Sequence, residues 1–208
     1  LEGFHHPERS LFFYCNNINK LGITLDLERE EGKEIFFKLL EKTDIIIETF
    51  RPGYLQEIGL GFDILKRVKP NVILVSVTGF GENGPRSQYK SCDLVASAFG
   101  GNMYVSGSPS TPPLKPFGEQ SYYTVSLFAA VGIILALRKR AHSGKGEHID
   151  ISLQEAGVST VDPDMVRFFY EKVIAKRQGC LYWNNDFCIL SCKDGHILLT
   201  LSLQWDIL

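Results

Sequence analysis

The sequence predicts an α/β protein with a parallel, Rossmann-like sheet and flanking helices. Two continuous apolar runs, DIIIETF at 44–50 and NVILVSVTGF at 71–80, are typical of strands that are buried on both faces. Segments with helical periodicity lie before and between these runs, so helices and strands alternate along the chain. This alternation indicates a parallel sheet whose strands are joined by right-handed crossovers.

The first predicted elements surround the earlier of the two runs. GITLDL at 22–27 is predicted as a strand, and EREEGKEIFFKLLEKT at 28–43 as an amphipathic helix. After the run at 44–50, the segment 51–68 is predicted to form two short helices, because Gly59–Gly61 interrupts the helical pattern. The second apolar run follows directly.

The later elements are separated by a long region rich in Gly and Pro, residues 81–118. Within it, a single helix is predicted at 91–101, since paired glycines end the pattern there. The remaining predicted elements are a helix over 119–140, a strand over 147–153, mostly helical structure over 154–174 and a hairpin over 188–200.

Composition and charge narrow the range of functions. The chain has 22 Lys and Arg against 24 Asp and Glu, and a net charge of −2 does not favour binding to nucleic acid or to an anionic membrane. Five scattered cysteines fit a reducing compartment better than a disulfide framework. Residues 1–10 hold no apolar run, and the apolar stretch 124–137 is shorter than a membrane span. We therefore expect a cytoplasmic protein with neither nucleic acid nor membrane as a partner.

Short motifs carry little chemistry on their own. The sequence has no P-loop, no Gly-x-Gly-x-x-Gly after a strand and no Gly-x-Ser-x-Gly elbow. Cys188, Cys192 and His196 are closely spaced, but a zinc site usually adds a second pair elsewhere, so no metal is predicted. Arg51 and Lys90 lie at a strand end and in a loop, where each is either surface charge or a partner for a phosphate group.

One carboxylate, Glu119, stands at the start of the long apolar helix. An acid is favoured at this place because the exposed N–H groups and the helix dipole attract negative charge. A Glu is also ionised at pH 7, so it can act as a nucleophile without a general base if a reactive acyl group reaches it. Spacing alone favours the helix-start acid over the nucleophile.

Taken together, several blocks resemble the family III CoA-transferases (the CaiB/BaiF family), which include formyl-CoA transferase, carnitine CoA-transferase and α-methylacyl-CoA racemases. Residues 16–53 are similar to the family's N-x-N-K … L-D-L … E-N-F-R-P-G block. Residues 59–85 are similar to its N-P-x-L-I-x-x-S-x-x-G-F-G … G-P block. DLVASAFGG at 93–101 and ALRKRAHSGKGEHIDISLQEA at 136–156 are similar to the blocks that follow in the family.

The resemblance implies an interlocked-dimer CoA-transferase fold, of which this chain is a central part that is incomplete at both ends. It implies that 1–179 form the large-domain α/β core with the CoA-binding loops. Residues 180–208 are then the strand hairpin and the start of a linker toward a smaller domain. The implied co-substrates are CoA or acyl-CoA and a small carboxylic acid, with no metal, and the implied assembly is a homodimer.

The family's site residues carry over by position. Gly118-Glu119 stands where the transferases have a Gly followed by the nucleophilic Asp, so Glu119 is the implied catalytic residue. The family's CoA contacts fall on Thr49, Phe50, Arg51, Pro52 and Lys90. Positions of the substrate pocket fall on Asp93, Gly118, Gln120 and Gly179. Asp93 opens a predicted helix, so a structural acid at the helix start competes evenly with a role in the site.

The implied activity is CoA transfer from an acyl-CoA to a carboxylate through a glutamyl anhydride and a glutamyl-CoA thioester. Three positions depart from the family pattern: the nucleophile is Glu instead of Asp, Glu57 stands at an Arg contact, and the Gly-rich loop keeps only Gly179. An acyl-CoA racemase or isomerase is the first alternative, disfavoured because Cys92 replaces the His of the racemase His-Asp pair. A non-catalytic CoA-binding subunit is the second.

Overall fold

A computed structural model describes residues 10–179 and 187–200, and the chain divides into two compact units, Leu1–Lys38 and Leu39–Leu208. The helices are α1 (Leu11–Asn16), α2 (Glu30–Leu40), α3 (Tyr54–Glu57), α4 (Phe62–Val68), α5 (Asp93–Phe99), α6 (Asn102–Val105), α7 (Gln120–Ser143), α8 (Leu153–Ser159) and α9 (Asp162–Glu171). The strands are β1 (Ile45–Glu48), β2 (Ile73–Thr78), β3 (His148–Ser152), β4 (Phe187–Ser191) and β5 (His196–Thr200).

The first unit holds α1 and most of α2. The Ser10 hydroxyl accepts a hydrogen bond from the Phe13 N–H at 3.2 Å and so caps α1, a helix that the sequence pattern did not predict. The strand predicted at 22–27 is wrong, because residues 21–26 have an irregular backbone. Within the described residues of this unit there is no second strand to pair with, and an unpaired strand leaves its N–H and C=O groups without ladder partners.

The second unit is built on a parallel sheet with the strand order β1-β2-β3. The central strand β2 is almost wholly buried, as its apolar run predicts. The edge strand β1 is less buried than predicted, since Ile47 is 59% exposed. Ile45 lies on the same face and packs against the core under α7, whereas Ile47 lies further along the strand and is not part of that cluster.

Helix α7 covers one face of the sheet. Its Ala129 and Ala136 form a buried cluster with Ile73 and Val75 of β2. By length and composition this 24-residue helix is apolar enough to cross a membrane, a property that core helices of soluble proteins share. It is longer than the stretch 124–137, so the argument from length against a membrane span does not hold for the whole helix.

A second cluster joins α5, α7 and α8 through Ala96, Val125, Leu153 and Ala156. Where α5 ends, its backbone meets that of α8 directly: a Cβ built on Gly100 would lie 2.9 Å from the Gly157 Cα. This contact leaves no space for a side chain between the two helices.

The predicted class, an α/β protein with a parallel sheet and flanking helices, is confirmed. The two short helices α3 and α4, the helix α5 before paired glycines and the long helix α7 are found where the pattern predicts them. The short helix α6 was not predicted. Strands β4 and β5 pair antiparallel as the predicted hairpin. The rest of the predicted linker region, 180–186 and 201–208, lies outside the described residues.

Candidate active site

A cavity of 620 Å³ opens at the carboxyl ends of β1 and β2. Thr49, Phe50, Arg51 and Pro52 line it from the loop after β1, and Lys90 lines it from the loop after β2. All five residues that the family resemblance assigns to CoA therefore surround one space. The carboxyl ends of parallel strands are the usual place for a ligand in this class of fold, and the volume is typical of small-molecule sites.

Two buried hydroxyl groups line the same cavity. Thr78 Oγ1 at the end of β2 and Ser91 Oγ have no hydrogen-bond partner among the described residues. Buried hydroxyls are normally hydrogen-bonded, so these two inaccessible oxygens are exceptions in the core beside the cavity. The sequence analysis did not name them, although the place of Thr78 at a strand's carboxyl end was a usable signal.

Arg51 is paired within the chain. Its Nη1 donates to Glu57 Oε1 at 2.7 Å, its Nη2 donates to Glu57 Oε2, and its guanidinium carbon lies 5.5 Å from the centre of the Tyr54 ring. The hydrogen bond from Arg51 lowers the pKa of Glu57 and the same bond raises the pKa of Arg51. Both side chains are more than half exposed. Lys90 has no ion pair among the described residues, so it is the cavity cation available to a phosphate group.

Glu119 occupies the N-cap position of α7 and is exposed. Its backbone carbonyl accepts hydrogen bonds from the N–H groups of Tyr122 and Tyr123, which begin the helix. Its carboxylate makes no capping bond, and within the described part of the chain it has no hydrogen bond or ion pair. Gly118, with a φ of 73°, forms the turn that leads into this position. Glu119 thus stands at a helix start without serving as its cap.

Asp93, at the start of α5, is only 6% exposed. Its Oδ1 accepts a hydrogen bond from the Ser121 N–H at 2.9 Å, and its Oδ2 lies 2.5 Å from Lys115 Nζ. Burial raises the pKa of Asp93, but the bonds from Lys115 and Ser121 outweigh it, and the pKa is lower than its ordinary value. Asp93 therefore has one hydrogen-bonded oxygen, Oδ1, whereas Oδ2 is held by its ion pair with Lys115 and has no hydrogen-bond partner among the described residues.

Tyr122 connects the cavity to the start of α7. It lines the cavity, and its pKa is raised mainly by burial. Tyr122 follows Glu119 by three positions in the first turn of α7, and Glu119 itself is not among the cavity-lining residues. The sequence analysis did not name Tyr122.

Like Asp93 and Gly118, the other two predicted substrate-pocket residues are not among those that line the cavity. Gln120 is exposed, and its Nε2 donates to the Phe117 carbonyl at 3.0 Å. Gly179 lies beside the loop at 107–109, where its N–H donates to the Gly107 carbonyl at 3.0 Å. In the described ranges no group of three or more His, Cys, Asp or Glu residues could hold a metal ion.

A second, smaller cavity of 270 Å³ lies behind the loop that follows β1, lined among others by Glu48, Glu82 and His148. The Glu82 carboxylate accepts a hydrogen bond from the Gly53 N–H at 3.3 Å, and its own N–H donates to Asp150 at 2.9 Å. Burial raises the pKa of Glu82 more than the Gly53 bond lowers it. Glu82 thus ties the loop carrying Arg51 and Pro52 to β3.

The chain matches known proteins over most of its length. The profile of CoA-transferase family III matches residues 2–205. The chain is 34% identical over 188 residues to the succinyl-CoA–L-malate CoA-transferase beta subunit of Chloroflexus aurantiacus, covering 90% of this chain and 45% of the relative. It is 35% identical over 147 residues to the formyl-CoA:oxalate CoA-transferase of Streptomyces coelicolor, covering 71% of this chain and 36% of the relative.

Among solved structures, a CaiB/BaiF family protein from Brucella suis superposes with a TM-score of 0.80 at 31% identity, over 86% of this chain and 47% of that one. The chain therefore belongs to CoA-transferase family III, as its sequence blocks predict. It spans less than half the length of each of these three relatives.

Proposed function

We propose that the protein transfers CoA from an acyl-CoA to a carboxylic acid, with the 620 Å³ cavity as the CoA site and Glu119 as the nucleophile. One observation carries this proposal: the five positions assigned to CoA line a single cavity, and Tyr122, which also lines it, lies in the first turn of the helix that begins after Glu119. The named relatives support it, because each is a CoA-transferase by name.

The proposed reaction begins when a Glu119 carboxylate oxygen attacks the carbonyl carbon of the acyl-CoA thioester. The C–S bond breaks, which gives a mixed anhydride and a CoA thiolate. The thiolate then attacks the glutamyl carbonyl and releases the first carboxylate, leaving a glutamyl-CoA thioester. Each step exchanges one carboxyl derivative for another, and water must be kept from these intermediates to prevent their hydrolysis.

The second half of the reaction repeats these exchanges with the acceptor. Its carboxylate attacks the glutamyl-CoA thioester and releases the CoA thiolate. The thiolate attacks the acyl carbon of the new anhydride, which forms the product thioester and restores the Glu119 carboxylate. No electron is gained or lost, and the number of thioester bonds is unchanged.

The donor and acceptor belong to the class of small carboxylic acids, since succinate, malate, formate and oxalate appear in the names of the relatives. Lys90 is the described cavity cation that we assign to a phosphate group of CoA. We further propose an interlocked homodimer in the cytoplasm for the full-length protein, on family grounds alone.

The test incubates the full-length protein with a panel of acyl-CoAs and analyses its peptides by mass spectrometry. We expect a CoA-sized adduct on the peptide that contains Glu119, and none in Glu119→Gln. Glu41→Gln, which alters an exposed carboxylate after α2, is the matched control and should keep the adduct.

Two other results would contradict the proposal. Binding of CoA without an adduct across the panel would favour the non-catalytic CoA-binding subunit. Exchange of the substrate α-proton in heavy water, without CoA transfer, would favour the racemase or isomerase.

A further inference from the structure

The start of α7 is capped from another helix. The first N–H groups of a helix have no partner within it, and the side chain of the N-cap residue normally accepts one of them. Here the N-cap residue is Glu119, and its side chain makes no such bond. The Ser121 N–H, at the second helical position, instead donates to Asp93 Oδ1 of α5 at 2.9 Å.

The same carboxylate also holds the segment before Glu119. Asp93 Oδ2 is paired with Lys115 Nζ at 2.5 Å. Lys115 Nζ in turn donates to the Gly118 carbonyl and to the Pro116 carbonyl, the latter at 3.3 Å. Glu119 therefore lies between two residues that are linked to Asp93. Ser121 is hydrogen-bonded to Asp93 directly, and Gly118 is linked to it through Lys115.

Asp93 is itself well anchored. It is 6% exposed, and its backbone carbonyl accepts a hydrogen bond from Ser121 Oγ at 3.3 Å. Ser121 Oγ also pairs with Ser97 Oγ at 2.9 Å, one turn further along α5. We refer to Asp93, Lys115, Ser97 and Ser121 as the Asp93 clamp.

We propose that Asp93 is a positioning residue that caps α7 in place of Glu119. The cap fixes the backbone of Glu119 and leaves its carboxylate available to the acyl carbonyl. The catalytic part of this inference rests on the proposed function, whereas the structural part does not. Asp93 acts through Glu119 and does not touch substrate, because it is buried, its Oδ1 accepts from the Ser121 N–H and its Oδ2 is ion-paired with Lys115.

The test compares Asp93→Ala and Asp93→Asn in the full-length protein, with Lys139→Met as the matched control. Lys139 forms an ion pair of the same 2.5 Å length with Glu147, near the other end of α7. Hydrogen exchange is measured on the peptide spanning 116–123, together with the rate of adduct formation on Glu119 and the Kd for CoA.

For Asp93→Ala we expect exchange in 116–123 to rise roughly tenfold or more, because the Ser121 amide loses its acceptor. Adduct formation should slow by about a hundredfold, the usual effect of a nucleophile misplaced by about 1 Å. The Kd for CoA should stay within about twofold, since Thr49–Pro52 and Lys90, the residues assigned to CoA, are untouched. Asp93→Asn keeps an acceptor for Ser121 and should fall between Asp93→Ala and the wild type, while Lys139→Met should match the wild type.

The inference would be overturned if Asp93→Ala showed the same hydrogen exchange in 116–123 and the same rate of adduct formation as the wild type. A rise in the Kd for CoA that accounts for the whole loss of rate would also overturn it, since Asp93 would then act on substrate binding. If Asp93→Ala does not fold, Lys115→Met takes its place, because Lys115 is more exposed than Asp93. It removes the bond to the Gly118 carbonyl, and the same three measurements are made on it.

A further result is that the wild type forms no adduct while hydrogen exchange in 116–123 is still faster in Asp93→Ala than in the wild type. That result would support the structural role of Asp93 and contradict the proposed transferase.

Discussion

Arg51 and Glu57 face each other across the short helix α3 and share two hydrogen bonds. Arg51 lines the cavity, and a guanidinium is the side-chain group best shaped to bind a phosphate in bidentate fashion. In this structure Glu57 occupies its donors. A carboxylate on that guanidinium competes with any phosphate, both for the same donors and by charge. Exposed ion pairs are weak, however, so a ligand phosphate can displace Glu57.

Glu57→Gln should therefore tighten the binding of CoA severalfold, because it removes a competing negative charge without removing the Arg51 cation. Isothermal titration at low and at high salt would measure this change, and the gain should shrink at high salt. In the Arg51→Gln background the same substitution should have little effect. An equal gain in both backgrounds would show that Glu57 acts on CoA independently of Arg51.

Glu119→Asp should slow adduct formation by about a hundredfold while leaving the Kd for CoA unchanged. The shorter side chain withdraws the carboxylate from the acyl carbon, and the Asp93 clamp holds the backbone so that it cannot follow. Single-turnover kinetics on the full-length protein would measure the rate. A rate equal to or above that of the wild type would mean that the start of α7 adjusts to the length of its side chain.

Acid should weaken the protein partly through Asp93. Its pKa is lower in the folded protein than the ordinary value of 3.8, so the ionised carboxylate stabilises the fold at all pH values above that value. The contribution is lost as the pH falls through the lower, folded pKa. Urea unfolding of the wild type and of Asp93→Asn at several pH values should show a difference that is constant near neutrality and shrinks below 3.8. A difference that grows in acid would contradict the lowered pKa.

The contribution of Glu82 to stability should depend on pH in the opposite sense to that of Asp93. Burial raises its pKa above the ordinary 4.5, so the folded state favours the protonated carboxyl, and that stabilisation is lost as the pH rises through the folded pKa. Glu82→Gln keeps an oxygen for the Gly53 N–H and removes the buried charge. It should be more stable than the wild type at pH 7, and the two should converge in acid. Lower stability at pH 7 would mean that the charge itself holds the loop.

Gly146→Ala should destabilise the fold by about 1–3 kcal/mol, the cost of forcing atoms into a packed site. A Cβ at this position would lie 1.8 Å from the Val72 carbonyl oxygen, which belongs to the backbone and cannot rotate away. Thermal unfolding should show a melting temperature lower by several degrees. Gly195→Ala is the control, since a Cβ there has no neighbour within 4 Å and the backbone needs no positive φ.

The sequence was most informative where apolar residues are continuous. The apolar run that contains β2 identified a strand that is buried along almost its whole length. The apolar stretch within α7 identified a helix that is only partly buried, since Leu127, Ile134 and Leu135 are each at least 61% exposed. The error at 22–27 has the opposite cause. A strand exists only if a second strand offers hydrogen bonds, and a local pattern carries no information about that partner.

In the candidate site, too, some residues could be predicted from the sequence and others could not. Five cavity-lining positions, Thr49–Pro52 and Lys90, were assigned from the family resemblance, which carries them over by their place in matching sequence blocks. The Asp93–Ser121 bond joins residues 28 positions apart, and neither residue is unusual for its place in a helix. Only the packing of α5 against α7 brings them together. The lack of hydrogen-bond partners for Thr78 Oγ1 and Ser91 Oγ among the described residues is likewise a property of the folded core.

The crossing of α5 and α8 at Gly100 and Gly157 has a consequence for the evolution of the chain. Because main chain meets main chain, no rotamer can absorb an added atom, and an Ala at either position would push both helices apart. Once one helix is displaced, an Ala at the second position costs less than it would alone, so the two substitutions are coupled. A lineage that accepts a side chain at one of these two positions is therefore expected to accept one at the other more readily than a lineage that keeps both glycines.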